Sequence, residues 1–331
     1  WEKACEEYKS QVDYNIVNLT SHDWYEKINA RKYDCFVARP PGLTAKFKQL
    51  YDERIYIIIN ALMLQLYPTP IEIYIYENKR FLASWLQANN LPHPGTWCFY
   101  DKNEALNFIS KTKFPLVAKV NIGASGSGVK ILNSSAESVD YIDKAFSDRG
   151  ISRRSGPNLA KGNIFKRGLR YIRKPAEISK KIGLYKTVKE ELQKGFVLLQ
   201  EYIPHQFEWR LVVIGDSYFA HKKVKIADKA SGSTVKKYDN PPLSLFDFAR
   251  EIISRFNLKT QALDLFETKD GKYLINEMQC YFGQSDPYQM MIDDKPGRYR
   301  FVDKKWVFEP GDYNRNQSFN LRLEYLIQSL K

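Results

Sequence analysis

Apolar and polar residues come in short blocks along this chain, and the period of the blocks changes more than once. Over residues 1–78, apolar clusters at 14–19 and 33–38 read as strands, while 23–30 and 44–54 carry helical spacing. The Arg39-Pro40-Pro41-Gly42 turn closes the second strand, where a parallel sheet takes its ligands. Arg39 there reads either as an anion contact or as an exposed arginine beside prolines. Further on, Glu77-Asn78-Lys79-Arg80 opens a helix over 81–88 that stops at Asn89-Asn90 and Pro92. A strand at 96–100, a helix at 102–111 and a buried strand at 115–120 with one charge, Lys119, follow. A small-residue loop, 123–128, leads into a strand at 129–132 and then a helix capped by Ser134 and Ser135 and ending at Phe146.

Beyond Phe196 the blocks are regular again. A strand at 196–203 runs into Pro204, and strands at 210–214 and 217–226 form a hairpin around Gly215-Asp216. An amphipathic helix at 243–256 precedes a second hairpin, 261–267 with 272–278, and the tail adds a hairpin at 299–308 and a helix from Ser318. The expected fold class is α/β (α+β): a small α/β domain over 1–78, then two α+β lobes over 79–205 and 206–331.

Composition narrows the picture. No apolar run approaches the ~20 residues of a membrane span; the longest, 55–66, is interrupted by Asn60 and Gln65. The chain opens on Trp1, so residues are expected to precede it, and no secretory signal pattern is seen. Cys5, Cys35, Cys98 and Cys280 lie far apart without a CxxC pair, which argues against structural zinc and for reduced thiols in a cytoplasmic protein. The net charge of +13 asks for an anionic partner. Much of it sits at 148–195, where fourteen basic residues face four acidic ones with little periodicity. This segment reads either as a solvated insertion or as a basic lip that draws in an anionic acceptor. Few aromatics interleave its charges, so nucleic acid is disfavoured as a partner.

The candidate chemistry centres on the 123–128 loop. A strand, a glycine loop and a returning strand form a flap whose backbone N–H groups can close over phosphate oxygens, with Lys119 as a point charge for the same phosphates. It lacks the Gly-Lys-Ser/Thr ending and the following helix of a P-loop. Glu201 to Ile203, at the end of a strand, offers a peptide edge for an adenine, and Glu208, in the same linker, offers a carboxylate for a ribose. Asp264 and Glu277 face each other on the second hairpin, and Gln279 shares the face of Glu277. Converging oxygens of this kind bind Mg²⁺; an ion pair with a lysine is the competing reading. His221, Lys223 and Lys225 line one face of their strand and put cations beside that site.

In combination, residues 70–285 resemble the carboxylate–amine ligases of the ATP-grasp superfamily, the type of glutathione synthetase, the ribosomal-protein glutamate ligase and D-alanine–D-alanine ligase. The resemblance implies that Lys79 and Lys119, about forty residues apart, hold the phosphates of ATP. It implies that Gly123, Ser125, Gly126, Ser127 and Gly128 form the nucleotide flap, that Glu201, Tyr202 and Ile203 form the adenine hinge, and that Glu208 is the ribose acid. Arg210 matches a common arginine, and Asp264, Glu277 and Gln279 match the Asp, Glu and Asn that bind two magnesium ions. Two departures stand out. Gln279 replaces the asparagine, leaving one or two ions (Mg²⁺, or Mn²⁺ in its place), and the strand basic residue is Lys223 or Lys225 where arginine is usual. The 148–195 segment has no counterpart.

The implied reaction is a two-step ligation. A carboxylate attacks the γ-phosphorus of ATP, and an amine then displaces phosphate through a tetrahedral adduct stabilised by Arg210 and the Lys223/Lys225 face. Small carboxylates and amines are the expected substrates, and a coupling of an amino acid to a sugar carboxylate in surface-glycan synthesis is one version. The polar loop 283–288 is the candidate substrate contact or an ordinary exit turn. A kinase on the same fold acting on a hydroxyl acceptor, and a basic nucleic-acid or membrane-associated module with a vestigial site, are the alternatives. An oligomer is compatible with all of these.

Overall fold

A computed structural model of the chain describes residues 1–123, 126–153, 175–225 and 235–331. The N-terminal part comprises α1 (Glu2–Glu7), α2 (Trp24–Asn29), β1 (Phe36–Val37), α3 (Ala45–Asn60), β2 (Leu66–Tyr67) and α4 (Pro70–Ile75). β1 and β2 pair in parallel. The strand expected at 14–19 does not form. Asn18 turns its side chain back onto the Thr20 N–H at 3.0 Å, and Arg54 takes the Ser21 carbonyl at 2.8 Å, so local side-chain bonds replace a ladder. The helix expected at 44–54 instead runs to Asn60, because Ile55 and Ile58 continue the buried stripe begun by Tyr51.

The small lobe follows: α5 (Lys79–Ala88), β3 (Thr96–Phe99), α6 (Lys102–Lys111), β4 (Leu116–Lys119), β5 (Val129–Leu132), α7 (Ser135–Ala145), β6 (Ile151–Ser152), α8 (Pro175–Glu190), β7 (Leu192–Gln193) and β8 (Val197–Glu201). Its antiparallel sheet has the order β3-β8-β4-β5. α6 and α7 cover one side of it with Ala105, Ile109, Tyr141 and Ile142. The basic segment is more structured than its composition predicts: β6 and β7 pair at its two ends, and α8 lies between them. Half of its fourteen arginines and lysines, those over 154–174, lie outside the described residues.

The large lobe comprises β9 (Phe207–Ile214), β10 (Ser217–Val224), β11 (Lys236–Lys237), α9 (Leu243–Arg255), β12 (Thr260–Glu267), β13 (Tyr273–Gln279), β14 (Met291–Ile292), β15 (Lys295–Val302), β16 (Lys305–Pro310) and α10 (Phe319–Leu330). The sheet order is β13-β12-β9-β10-β15-β14, with β11 added on β10 and β16 on β15. α9 fills one face through Leu245, Phe246, Ala249 and Ile252. α5, expected to belong with the small lobe, also gives Leu82 and Leu86 to this core. The N-terminal part is tied in by Glu72 of α4. It is fully buried, accepts from the Lys259 and Thr260 N–H groups at 3.0 and 2.8 Å, and burial pushes its pKa up to about 7.

Candidate functional site

The small and large sheets meet where β4 and α5 face β12 and β13. Asn121, just past β4, pins the start of α5 twice: its carbonyl accepts from the Lys79 N–H at 3.3 Å and its Oδ1 from the Arg80 N–H at 2.8 Å. Asn78 caps the same helix through the Phe81 N–H. This anchors Lys79 beside the flap, and its Nζ donates to the Gly123 carbonyl at 2.7 Å while lying 3.9 Å from Glu277 Oε1. Gly123 (φ +155°) and Gly126 (φ +66°) hold backbone shapes that side chains rarely adopt, and a Cβ on Gly128 would stand 2.7 Å from Val120. Of the flap residues expected to meet a nucleotide, Gly123, Gly126, Ser127 and Gly128 are placed here, and Ser125 lies outside the described residues.

Lys119 points from β4 into the same space. It is buried and donates to Asn276 Oδ1 of β13 at 2.8 Å, a contact between residues 157 apart in sequence. Burial lowers its pKa to about 8, partly offset by the nearby Glu277 charge.

On the large sheet, Asp264 stands between Arg210 of β9 and Glu277 of β13 in the ladder register. Arg210 grips it with two bonds, Nε to Oδ1 and Nη2 to Oδ2, both 2.8 Å, and Lys223 Nζ reaches Oδ2 at 2.6 Å. Burial opposes the charge on Asp264, but the two cations outweigh it and hold the carboxyl well below the usual range. Lys223 also meets Glu208 Oε2 at 2.8 Å, and the two acids together hold its pKa above the ordinary lysine value despite burial. Of the two candidate lysines, Lys223 therefore enters the acid network. Lys225, past the end of β10, donates to the Tyr202 hydroxyl at 3.1 Å.

Glu208 is not in the linker where the sequence suggests it. It lies within β9, buried, and takes Lys223 on one oxygen and Asn276 Nδ2, at 2.9 Å, on the other. At the hinge, the Glu201 N–H bonds the Gly95 carbonyl at 2.7 Å, the Glu201 carboxylate accepts from the Gly95 N–H at 3.2 Å, and His205 Nδ1 lies 2.7 Å from the Ile203 carbonyl. The Arg39 guanidinium lies over the Tyr281 ring, 5.2 Å from the centroid.

The expected metal ligands fit a cation in one specific way. An ionised carboxylate offers about four lone-pair sites. Arg210 and Lys223 occupy three on Asp264, which leaves one on Oδ1. Glu277 takes Gln279 Nε2 on Oε1 at 3.0 Å, so the Gln279 amide presents its oxygen. Among the described residues no group of three or more His, Cys, Asp or Glu could hold a metal ion by itself. The donor set thus suits a hard ion completed by ligand phosphates and water rather than a protein-only cage.

Two residues here escape a reading of the sequence. Asn276 should point away from Glu277 by strand alternation. A bulge opposite the Asp264–Leu265 step makes it the extra residue of β13, however, and both side chains serve the crevice. Glu77, in the left-handed region (φ +50°), is buried beneath the flap and accepts from the Gly123 N–H at 3.3 Å; burial raises its pKa. The loop at 283–288 is pinned in place: Lys236 reaches Gln284 and, at 2.9 Å, Asp286; Tyr238 donates to Asp286 at 2.5 Å.

No family model and no curated protein matches the chain. Solved structures do. D-alanine–D-alanine ligase from Bacillus anthracis is 15% identical, with 99% of this chain and 91% of that one covered, at a TM-score of 0.50. D-alanyl-alanine synthetase A from Vibrio cholerae is 12% identical over 90% and 75%, at 0.48. A RimK-domain ATP-grasp protein from Sphaerobacter thermophilus is 16% identical over 75% and 73%, at 0.45.

Proposed function

We propose that this chain, which has the ATP-grasp fold, is an ATP-dependent ligase that joins a carboxylate to an amine and releases ADP and phosphate. The observation that carries the reading is the meeting of two ammonium groups of one lobe with the acid-bearing strand of the other: Lys119 touches Asn276, and Lys79 faces Glu277. A triphosphate between the sheets has cations on one side and oxygen donors on the other. Asp264, Glu277 and Gln279 are the residues that would hold Mg²⁺, which when bound neutralises phosphate charge and orients the γ-phosphoryl group.

The chain's own groups supply the rest. Lys79 and Lys119 offset charge on the phosphate oxygens as the substrate carboxylate attacks the γ-phosphorus, and the flap N–H groups close over them. Arg210 spends only its Nε and Nη2 donors on Asp264, which leaves its Nη1 hydrogens for a developing oxyanion. When the amine displaces phosphate from the acyl phosphate, that oxyanion forms and collapses beside this guanidinium. Nothing in the geometry selects a sugar carboxylate.

The test is Mg²⁺-dependent ADP release against pooled carboxylic acids and amines, with hydroxylamine added to trap an acyl phosphate as hydroxamate. Release that needs both an acid and an amine is expected. Release with an alcohol alone identifies a kinase instead.

A further inference from the structure

The Asn276 carboxamide stands between a cation of one lobe and an acid of the other. Lys119 Nζ donates to its Oδ1 at 2.8 Å, and its Nδ2 donates to Glu208 Oε1 at 2.9 Å. An ammonium has only donors and a carboxylate only acceptors, so the amide can sit in just one orientation here. A carboxamide is also the neutral side chain that satisfies both partners at once. Its neutrality matters. Of the three N–H groups on Lys119, Asn276 takes one and leaves two, and it orients the ammonium without cancelling its charge. A carboxylate at the same place would form an ion pair and weaken the pull on an incoming phosphate. The far end of the link is firm, because Glu208 is buried and held by Lys223, which also holds Asp264.

We propose that Asn276 is a positioning residue for the nucleotide triphosphate, acting through Lys119. It aims the ammonium across the crevice and ties its position to the Glu208–Lys223 network of the large sheet. The proposal rests on the reading above that Lys119 binds ATP.

The experiment measures the Kd of Mg·ATP by calorimetry on the full chain: wild type, Asn276→Leu, Asn276→Asp, Lys119→Ala, and the Asn276→Leu/Lys119→Ala pair. Circular dichroism and thermal unfolding confirm that each is folded. Asn276→Leu should weaken binding about tenfold, the scale of one charge-assisted hydrogen bond. Asn276→Asp should also weaken it, because the new acid neutralises Lys119. In the pair, the Asn276 change should add nothing to the loss already caused by Lys119→Ala. Unchanged affinity in Asn276→Leu, equal or tighter binding in Asn276→Asp, or additive losses in the pair would each overturn the role. Should Asn276→Leu fail to fold, Asn276→Asp decides. Wild-type protein that binds no Mg·ATP would sink the nucleotide reading itself, a distinct result that takes this role with it.

Discussion

The two faces of the crevice hold their charges in opposite ways. On the large sheet, Asp264 and Glu208 are matched by Arg210 and Lys223, all within hydrogen-bond reach on adjacent strands. On the small lobe, Lys119 and Lys79 donate to neutral oxygens, the Asn276 amide and the Gly123 carbonyl, with Glu277 Oε1 3.9 Å from Lys79. An ion pair buried in strands is already satisfied and resists change. A cation held by an amide is placed without being neutralised, and its field remains for a ligand. The first arrangement shapes the fold around the site, and the second is suited to binding an anion.

The sharpest way to break this contrast is Asp264→Ala. It leaves Arg210 without its counter-charge and Lys223 with Glu208 alone, and loss of about 3–5 kcal/mol of stability is expected from urea unfolding. A loss below about 1 kcal/mol would show that the network does not hold the fold around the site. Glu277→Gln should do the reverse. Its carboxylate is partly exposed and only loosely opposed by Lys79, so the unfolding free energy should change by no more than about 0.5 kcal/mol while Mg²⁺-dependent ADP release is lost. Retained turnover would remove Glu277 from the metal site.

The smallest effect sharpens the other face. Lys119→Ala should weaken Mg·ATP binding by about ten- to a hundredfold. In the wild type, Lys119 carries its charge below its pKa of about 8 and sheds it above. Phosphate binding favours the charged form, so affinity should fall as pH rises from 7 to 9, and calorimetry across that range should show no such fall in Lys119→Ala. A flat wild-type profile would mean that another group supplies the cation.

Much of this arrangement can be read along the chain. Residues 260–279 show two apolar strands about a Lys-Asp-Gly turn, and Asp264 and Glu277 do pair in the ladder. The glycines of the flap and the lysine of the preceding strand are equally plain. The partners of those residues are less so. Lys223 and Lys225 share a strand face by spacing, yet only Lys223 remains inside the ladder long enough to reach Asp264, while Lys225 turns to the Tyr202 hydroxyl. Glu208 reads as a linker acid because Pro204 breaks the preceding strand; β9 begins earlier than its apolar run suggests, at Phe207.

What the sequence determined by itself is therefore local: the elements, the turns between them and the flap, since strand alternation, helix periodicity and glycine conformations depend on near neighbours. The N-terminal segment at 14–19 marks the edge of that rule, because an apolar cluster becomes a strand only when another strand is there to pair with it. Tertiary structure decided which face Asn276 serves and which charge meets which. A single extra residue in β13 turns a side chain across the sheet, and a contact spanning 157 positions is selected by how two lobes dock, which no local period encodes.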